Sequence, residues 1–253
     1  MKLIRIILAL FLTIFILSAC GDSSGSGTAK PPDPYSGQFD FIVAIQEFSM
    51  FNRENILVIG IMPGDYTNPI TTLELTIDGQ DIDVNESYDM WVGGYEGLVH
   101  GQTHSVTAII NGASYSEDIT VAYWPTSNIS DYWNMSQPLD IEWTIDGDNM
   151  WQEIAGYAEW WDYNDDLVEK EKHLSLSPSD RNATIPAYWL DIPMDIYPET
   201  RLGIYESNWA INNRFLVMSI ANDIQDSYCG LSEADRHDIT HRNVNRVLDL
   251  ISR

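Results

Sequence analysis

Oxygen-bearing side chains stand at alternate positions just after a pair of tryptophans. Asp162, Asn164 and Asp166 are each separated by one residue, which is the spacing that a calcium loop uses for its first ligands. The loop pattern is incomplete, because Leu167 occupies its sixth position instead of glycine and His173 its twelfth instead of glutamate. We therefore expect a solvated turn and no cofactor, with a calcium site formed by the three oxygen-bearing side chains as the alternative.

The tryptophans carry a second kind of chemistry. Seven of the nine lie between residues 130 and 210, and an exposed indole can stack on a sugar ring while nearby carboxylates accept its hydroxyl groups. Trp160 and Trp161 are adjacent, so on a strand their side chains point to opposite faces. Large aromatics usually fill the cores of β-sandwiches, so we expect core packing, with glycan binding by Trp160 and Trp161 as the alternative.

Three hydrolytic patterns lack the context that they need. His237 and His241 have zinc-protease spacing, but only twelve residues follow and they contain no third His or Glu ligand. A G-x-S-x-G match at residues 21–25 lies in a Gly/Ser-rich stretch instead of between a strand and a helix. A carboxylate pair such as Glu142 and Glu153 would support an envelope hydrolase, which is the less favoured alternative to a non-enzymatic protein.

The remaining histidines, His100, His104 and His173, have no readable nucleophile partner in the sequence. We predict that they are hydrogen-bonded structural side chains.

The first residues indicate export. Lys2 and Arg5 precede an apolar run from Ile6 to Leu17 that only Thr13 interrupts, which is typical of a signal peptide. About twelve residues are too few for a membrane-spanning helix, which needs about 20. The residues that follow indicate a more specific type of signal. The alternative is an ordinary secretory signal whose cleavage site contains a cysteine by chance.

The segment Leu17-Ser18-Ala19-Cys20 resembles the lipobox of bacterial lipoproteins. The resemblance implies cleavage before Cys20 and fatty acylation of that residue, and two or more acyl chains hold a protein stably on a membrane. Gly21 follows where an inner-membrane retention signal would have Asp, so the outer membrane is favoured. Residues 20–36 are rich in Gly, Ser and Pro and read as a flexible tether.

Composition narrows the possible partners. With 13 Lys+Arg, 38 Asp+Glu and a net charge of −25, the chain repels nucleic-acid phosphates, so nucleic-acid binding is excluded. Between Arg53 and Lys170 there is no Lys or Arg. Three explanations of this acidic composition remain open, namely salt adaptation, cation binding and repulsion from anionic headgroups. If Cys20 is acylated, Cys229 is the only other cysteine, so no internal disulfide can form.

The mature chain shows mostly the period-two pattern of strands. Turn signals at Asp78-Gly79 and Asn111-Gly112 predict two tight hairpins. We predict a mainly β protein with these segments: a signal peptide at 1–19, a tether at 20–36, a β-sandwich at 37–125, a second β-sandwich at 126–230 and an amphipathic C-terminal helix at 231–253. Further strands are expected, among others, at 139–143, 154–161 and 187–192.

Residues Leu98 to Trp124 resemble the closing hairpin of immunoglobulin-like and fibronectin-III-like domains. The resemblance implies two tandem Ig-like sandwiches and concerns architecture only. Together these observations predict a lipid-anchored cell-envelope lipoprotein that acts as a non-enzymatic binding or structural module, with a glycan or another envelope protein as its partner.

Overall fold

The computed structural model describes residues 39–48, 56–64, 69–87, 90–95, 97–129, 134–164, 166–193, 196, 198–226, 244–248 and 251. These residues are mainly β, as predicted. The strands are β1 (Phe41–Phe48), β2 (Ile56–Pro63), β3 (Leu73–Ile77), β4 (Gln80–Ile82), β5 (Val84–Ser87), β6 (Met90–Gly93), β7 (Thr103–Ile110), β8 (Ala113–Thr120), β9 (Thr126–Ser127), β10 (Leu139–Thr144), β11 (Trp151–Trp161), β12 (Leu167–Leu176), β13 (Asn182–Ile185), β14 (Glu199–Asn212) and β15 (Phe215–Asp226). Residues 244–248 are helical.

The strands form one large sheet and two small ones. The eight-stranded sheet has the order β12-β11-β14-β15-β1-β2-β6-β5, and the small sheets have the orders β4-β3-β7-β8 and β13-β10-β9. Strand β1 pairs in parallel with β15, from Phe41 opposite Phe215 to Phe48 opposite Asn222. Strands from both predicted sandwich segments therefore hydrogen-bond within one sheet, and a tandem pair of Ig-like domains is not confirmed.

One face of the large sheet, called here the sandwich face, packs against both small sheets. Val43 and Val217 meet Ile77 and Val106 of the four-stranded sheet in one buried apolar cluster. Farther along, buried side chains of β11 and β14 meet those of the three-stranded sheet, namely Ile154, Ile204, Ile141 and Trp143. The alternation of apolar and polar residues, which turns every second side chain inward, produces this two-layer arrangement.

The opposite face, called here the helix face, carries the short helical segment. Val244 and Val247 are fully buried against side chains of β1 and β15, including Ile42, Met218 and Ile220. The apolar stripe predicted for the C-terminal helix thus packs on the sheet, while the predicted start of that helix lies outside the described residues. No helix in the described ranges is long and apolar enough to cross a membrane.

Both predicted tight turns are present. Asp78 and Gly79 have φ values of 52° and 75°, and Asn111 and Gly112 have φ values of 52° and 81°, as in type I′ hairpins. The strand expected at 187–192 is wrong. Residues 187–190 form a turn, in which Tyr188 has a φ of 56°, a value incompatible with extended structure.

Candidate functional site

The charged side chains of β11, and its aromatic side chains other than Trp160, lie on the helix face. Ile154, Ala158 and Trp160 point into the apolar clusters of the sandwich face. Because side chains alternate along a strand, Glu153 and Trp161 point the other way. The register places β12 on one side of β11 and β14 on the other, so these three strands form one continuous surface.

The adjacent tryptophans have different environments. Trp160 is 8% exposed and packs with Ala158 and Leu190, so it is a core residue. Trp161 is 59% exposed and lies opposite Leu167, which is 48% exposed. Only Trp161 is therefore available to stack on a ligand. The alternation of side chains along a strand predicted that at least one of the two indoles would lie outside the core.

The candidate calcium residues close the turn between β11 and β12. Asp162 Oδ1 accepts the backbone N–H groups of Asn164 at 2.7 Å and Asp166 at 3.0 Å. The hydrogen bond from Asp166, then that from Asn164, lowers the pKa of the exposed Asp162 carboxyl. Within the described ranges, no three His, Cys, Asp or Glu side chains are grouped to hold a metal ion. Backbone hydrogen bonds to Asp162 close the turn, and calcium binding by it stays the untested alternative.

Two carboxylates and a tyrosine meet beside Trp161. The hydroxyl oxygen of Tyr157 lies 2.7 Å from Glu159 Oε2 and 2.9 Å from Glu169 Oε1. Since the hydroxyl has one proton, it can donate to only one carboxylate at a time. The guanidinium of Arg201 lies 5.5 Å from the centre of the Tyr157 ring. The group thus offers hydrogen-bond acceptors next to an exposed indole.

Sequence reasoning missed this carboxylate pair. Glu159 and Glu169 are ten residues apart, and only the β11–β12 register places them opposite each other. The pair proposed from the sequence is not brought together. Glu142 is on the exposed side of β10, while Glu153 is 2% exposed on the helix face of the large sheet, so a full layer of core side chains separates them.

Glu153 is the centre of a buried ionic group on the helix face. Its Oε2 atom lies 3.1 Å from Nε of Arg246, in the helical segment, and its Oε1 atom lies 2.8 Å from Nδ1 of His173. The hydrogen bond to Glu153 raises the pKa of His173, and the charge of Glu171 adds to this shift. The group joins the C-terminal segment to β11 and β12 and neutralises a carboxylate that water does not reach.

Another buried polar group lies on the sandwich face. Asn149 Nδ2 donates to Glu206 Oε2 at 3.1 Å, while Asn149 Oδ1 accepts from Tyr123 N at 2.9 Å and from Asn208 Nδ2 at 3.1 Å. Glu206 Oε1 has no hydrogen-bond partner in the described part of the chain. Burial raises the pKa of Glu206 to about 8, so this carboxyl is largely protonated at neutral pH.

The predicted hydrogen bonding of the three histidines is confirmed. His104 Nδ1 lies 2.6 Å from Asp78 Oδ2, His100 Nδ1 lies 2.7 Å from the carbonyl oxygen of Ala122, and His173 contacts Glu153 as described above. The other predicted positions, Cys20, Cys229 and the His237–His241 motif, lie outside the described residues.

Comparison with known proteins gives no family. No protein-family model matches the chain, and no curated protein matches it significantly.

Proposed function

We propose that the chain is a bacterial cell-envelope lipoprotein whose β body is a non-enzymatic binding or structural module. The lipobox-like segment ending at Cys20 carries the proposal, because an apolar run too short to span a bilayer leads directly into it. Residues 20–36 provide the tether between the acylated cysteine and the sheets. An outer-membrane location is part of the proposal and rests on Gly21.

The proposed tether suggests how the module is displayed. A flexible segment of about 16 residues has a root-mean-square reach of roughly 20–25 Å, enough to separate the sheets from the headgroups. An immunoglobulin-like β-sandwich architecture of the segment 37–125 is also part of the proposal. It is supported by the β7–β8 hairpin, which turns at Asn111-Gly112 as in the closing hairpin of such domains.

Acylation of Cys20 is testable directly. Cells expressing the full chain are grown with an alkyne-tagged fatty acid, and the purified protein is analysed for the tag and by mass spectrometry of its N-terminal peptide. We expect the tag in the wild type and in Cys229→Ala, which controls for the other cysteine, and its loss in Cys20→Ala. An unmodified Cys20, or a mature chain that begins at Met1, would refute the anchor.

A second candidate function is carbohydrate binding by the helix face around Trp161. It is favoured by one specific observation: an indole that is 59% exposed stands next to the Glu159, Tyr157 and Glu169 group. The indole would stack on a sugar ring, and the carboxylates would accept hydrogen bonds from its hydroxyl groups.

A glycan array and pull-down on polysaccharides test this candidate. We expect binding by the wild type, its loss in Trp161→Ala, and its retention in Tyr188→Ala, which removes an aromatic that is 52% exposed in the loop that packs on the sandwich face. Equal binding by all three proteins would exclude the Trp161 surface.

A further inference from the structure

Four asparagines of the chain are followed two residues later by serine or threonine, with no proline between. The positions are Asn85, Asn128, Asn134 and Asn182. This spacing is the acceptor pattern for N-linked glycosylation of exported proteins. All four residues are exposed. Because the pattern is short enough to arise by chance, the structure around each asparagine decides which of them can react.

Two of the four side-chain amides are held by the fold. Asn128 Oδ1 accepts the backbone N–H of Glu142 at 2.9 Å, which ties the end of β9 to β10. Asn134 Oδ1 accepts the backbone N–H of Ser136 at 3.1 Å and the hydroxyl of the same residue at 2.8 Å. An enzyme that turns either amide into its own active site must first break these contacts, so both positions are poor acceptors.

The other two amides are free to turn. Neither the Asn85 nor the Asn182 side chain forms a hydrogen bond within the described part of the chain. Asn85 lies on β5 and Asn182 on β13, and these are terminal strands of the eight-stranded and the three-stranded sheet. The open backbone edge of a terminal strand can pair with the extended binding site of an enzyme. Both acceptors are therefore accessible through backbone as well as side chain.

An aspartate stands two residues before each of these two asparagines. Asp83 precedes Asn85 and Asp180 precedes Asn182, whereas neutral residues hold this place before the two held asparagines. Asp180 Oδ2 accepts the backbone N–H of Ser177 at 2.8 Å, which fixes this carboxylate in the turn just before β13. A carboxylate at a set distance from the acceptor offers a transferase a charge-assisted contact that a neutral side chain does not.

We propose that Asn85 and Asn182 are acceptor sites for N-linked glycans. The donor is an oligosaccharide carried on a polyprenyl pyrophosphate lipid, and an envelope transferase catalyses the step. The amide nitrogen attacks the anomeric carbon of the first sugar, so that a C–N bond forms and the C–O bond to the pyrophosphate breaks. The lipid pyrophosphate leaves with the electron pair of that bond, and the amide nitrogen loses one proton. No oxidant or reductant is needed.

The positions of the two sites suggest what the glycans do. A glycan is bulky and well solvated, and each would stand on a terminal strand whose unpaired backbone groups could otherwise pair with another chain. The inference rests on the export that the proposed function requires. It does not depend on carbohydrate binding at Trp161, because the glycan here is attached covalently at other strands.

Peptide mass spectrometry of the full chain, purified from the cells that naturally produce it, tests the proposal. We expect the peptides with Asn85 and Asn182 to carry a glycan on the asparagine, and the peptides with Asn128 and Asn134 to be unmodified. Replacing Asn85 and Asn182 with glutamine, singly and together, should remove one glycan mass and then both. The N-terminal peptide with Cys20 is measured in the same digest.

Thr184→Val and Thr184→Ser are a matched pair for the second site. Valine keeps the shape of threonine without its hydroxyl group and should lower the occupancy of Asn182 about tenfold or more, whereas serine keeps the acceptor pattern and the occupancy. The Thr184 hydroxyl also donates to Asp140 Oδ1 at 2.6 Å. Asp140→Ala removes that contact but leaves the pattern intact, so it should not lower the occupancy. Asn85 in the same molecule is the internal reference.

The outcomes separate this proposal from the proposed function. Unmodified Asn85 and Asn182 in a chain whose Cys20 is acylated would overturn the glycan sites and leave the lipoprotein in place. Unmodified asparagines in a chain that begins at Met1 would overturn both. Equal occupancy of Asn128 would also overturn the proposal, because a free amide on a terminal strand would then not select the acceptor.

Discussion

Replacing Glu206 with glutamine tests the buried polar group on the sandwich face. Burial raises the pKa of Glu206 from its ordinary value of 4.5 to about 8. In the unfolded chain this carboxyl releases its proton near pH 4.5, whereas the folded protein keeps it up to about pH 8. Between these pH values the folded state binds one more proton than the unfolded state, so raising the pH favours unfolding.

The expected size follows from this interval. One pKa unit corresponds to about 1.4 kcal/mol, so Glu206 lowers the free energy of unfolding by about 1.4 kcal/mol for each pH unit in this window. The contribution is fully present below pH 4.5 and has fallen by about 4–5 kcal/mol once the pH passes 8. Glutamine is neutral throughout and can still accept the hydrogen bond from Asn149.

Urea unfolding of the wild type and Glu206→Gln at pH 5, 6, 7 and 8 measures the effect. Other titrating groups are common to both proteins and cancel in the difference. We expect the variant to gain about 3 kcal/mol on the wild type between pH 5 and pH 7. Glu142→Gln controls for the loss of one negative charge. A difference between Glu206→Gln and the wild type that stays constant from pH 5 to pH 8 would refute the protonated, buried carboxyl.

Three further substitutions test the core packing and the buried ionic group. Trp160→Ala should lower the free energy of unfolding by about 3–5 kcal/mol, because it empties a core position. Trp161→Ala should change this free energy by less than about 1 kcal/mol. Equal losses for the two variants in denaturant unfolding would contradict the faces assigned to the two side chains. Arg246→Met should cost about 3–5 kcal/mol, because it leaves Glu153 buried with His173 as its remaining cationic partner. Protonated His173 stabilises the fold fully below its unfolded pKa of 6.5, and this stabilisation decreases as the pH rises through its raised folded pKa. The free energy of unfolding lost in Arg246→Met should therefore be larger at pH 9 than at pH 5.5. A loss that is independent of pH would exclude coupling between His173 and Glu153.

The local pattern of the sequence predicted the hairpins. Leu73–Ile77 alternates in polarity, and Asp78-Gly79 and Asn111-Gly112 supply the two positive φ values that a type I′ turn requires. Strand β12 was not predicted, because Leu167–Leu176 is rich in Glu and Lys and all of its side chains are exposed or half-buried. It forms because β11 offers it a complete ladder at the edge of the sheet.

The local sequence pattern does not predict which distant strands pair with each other. Nothing in residues 41–48 signals that β15, more than 160 residues later, lies beside them. Alternation predicted that Trp160 and Trp161 face opposite ways, but which one is buried depends on Leu190, in a loop that the sequence suggested was a strand. The Glu159 and Glu169 pair likewise follows from cross-strand register alone.

The position of β1 between β2 and β15 also determines when the chain can fold. During synthesis, the edge of β1 stays open until β15 emerges, so an incomplete chain exposes backbone groups that other chains can capture. Removing the last forty residues, which include β15, should therefore leave aggregating material instead of a shorter folded body.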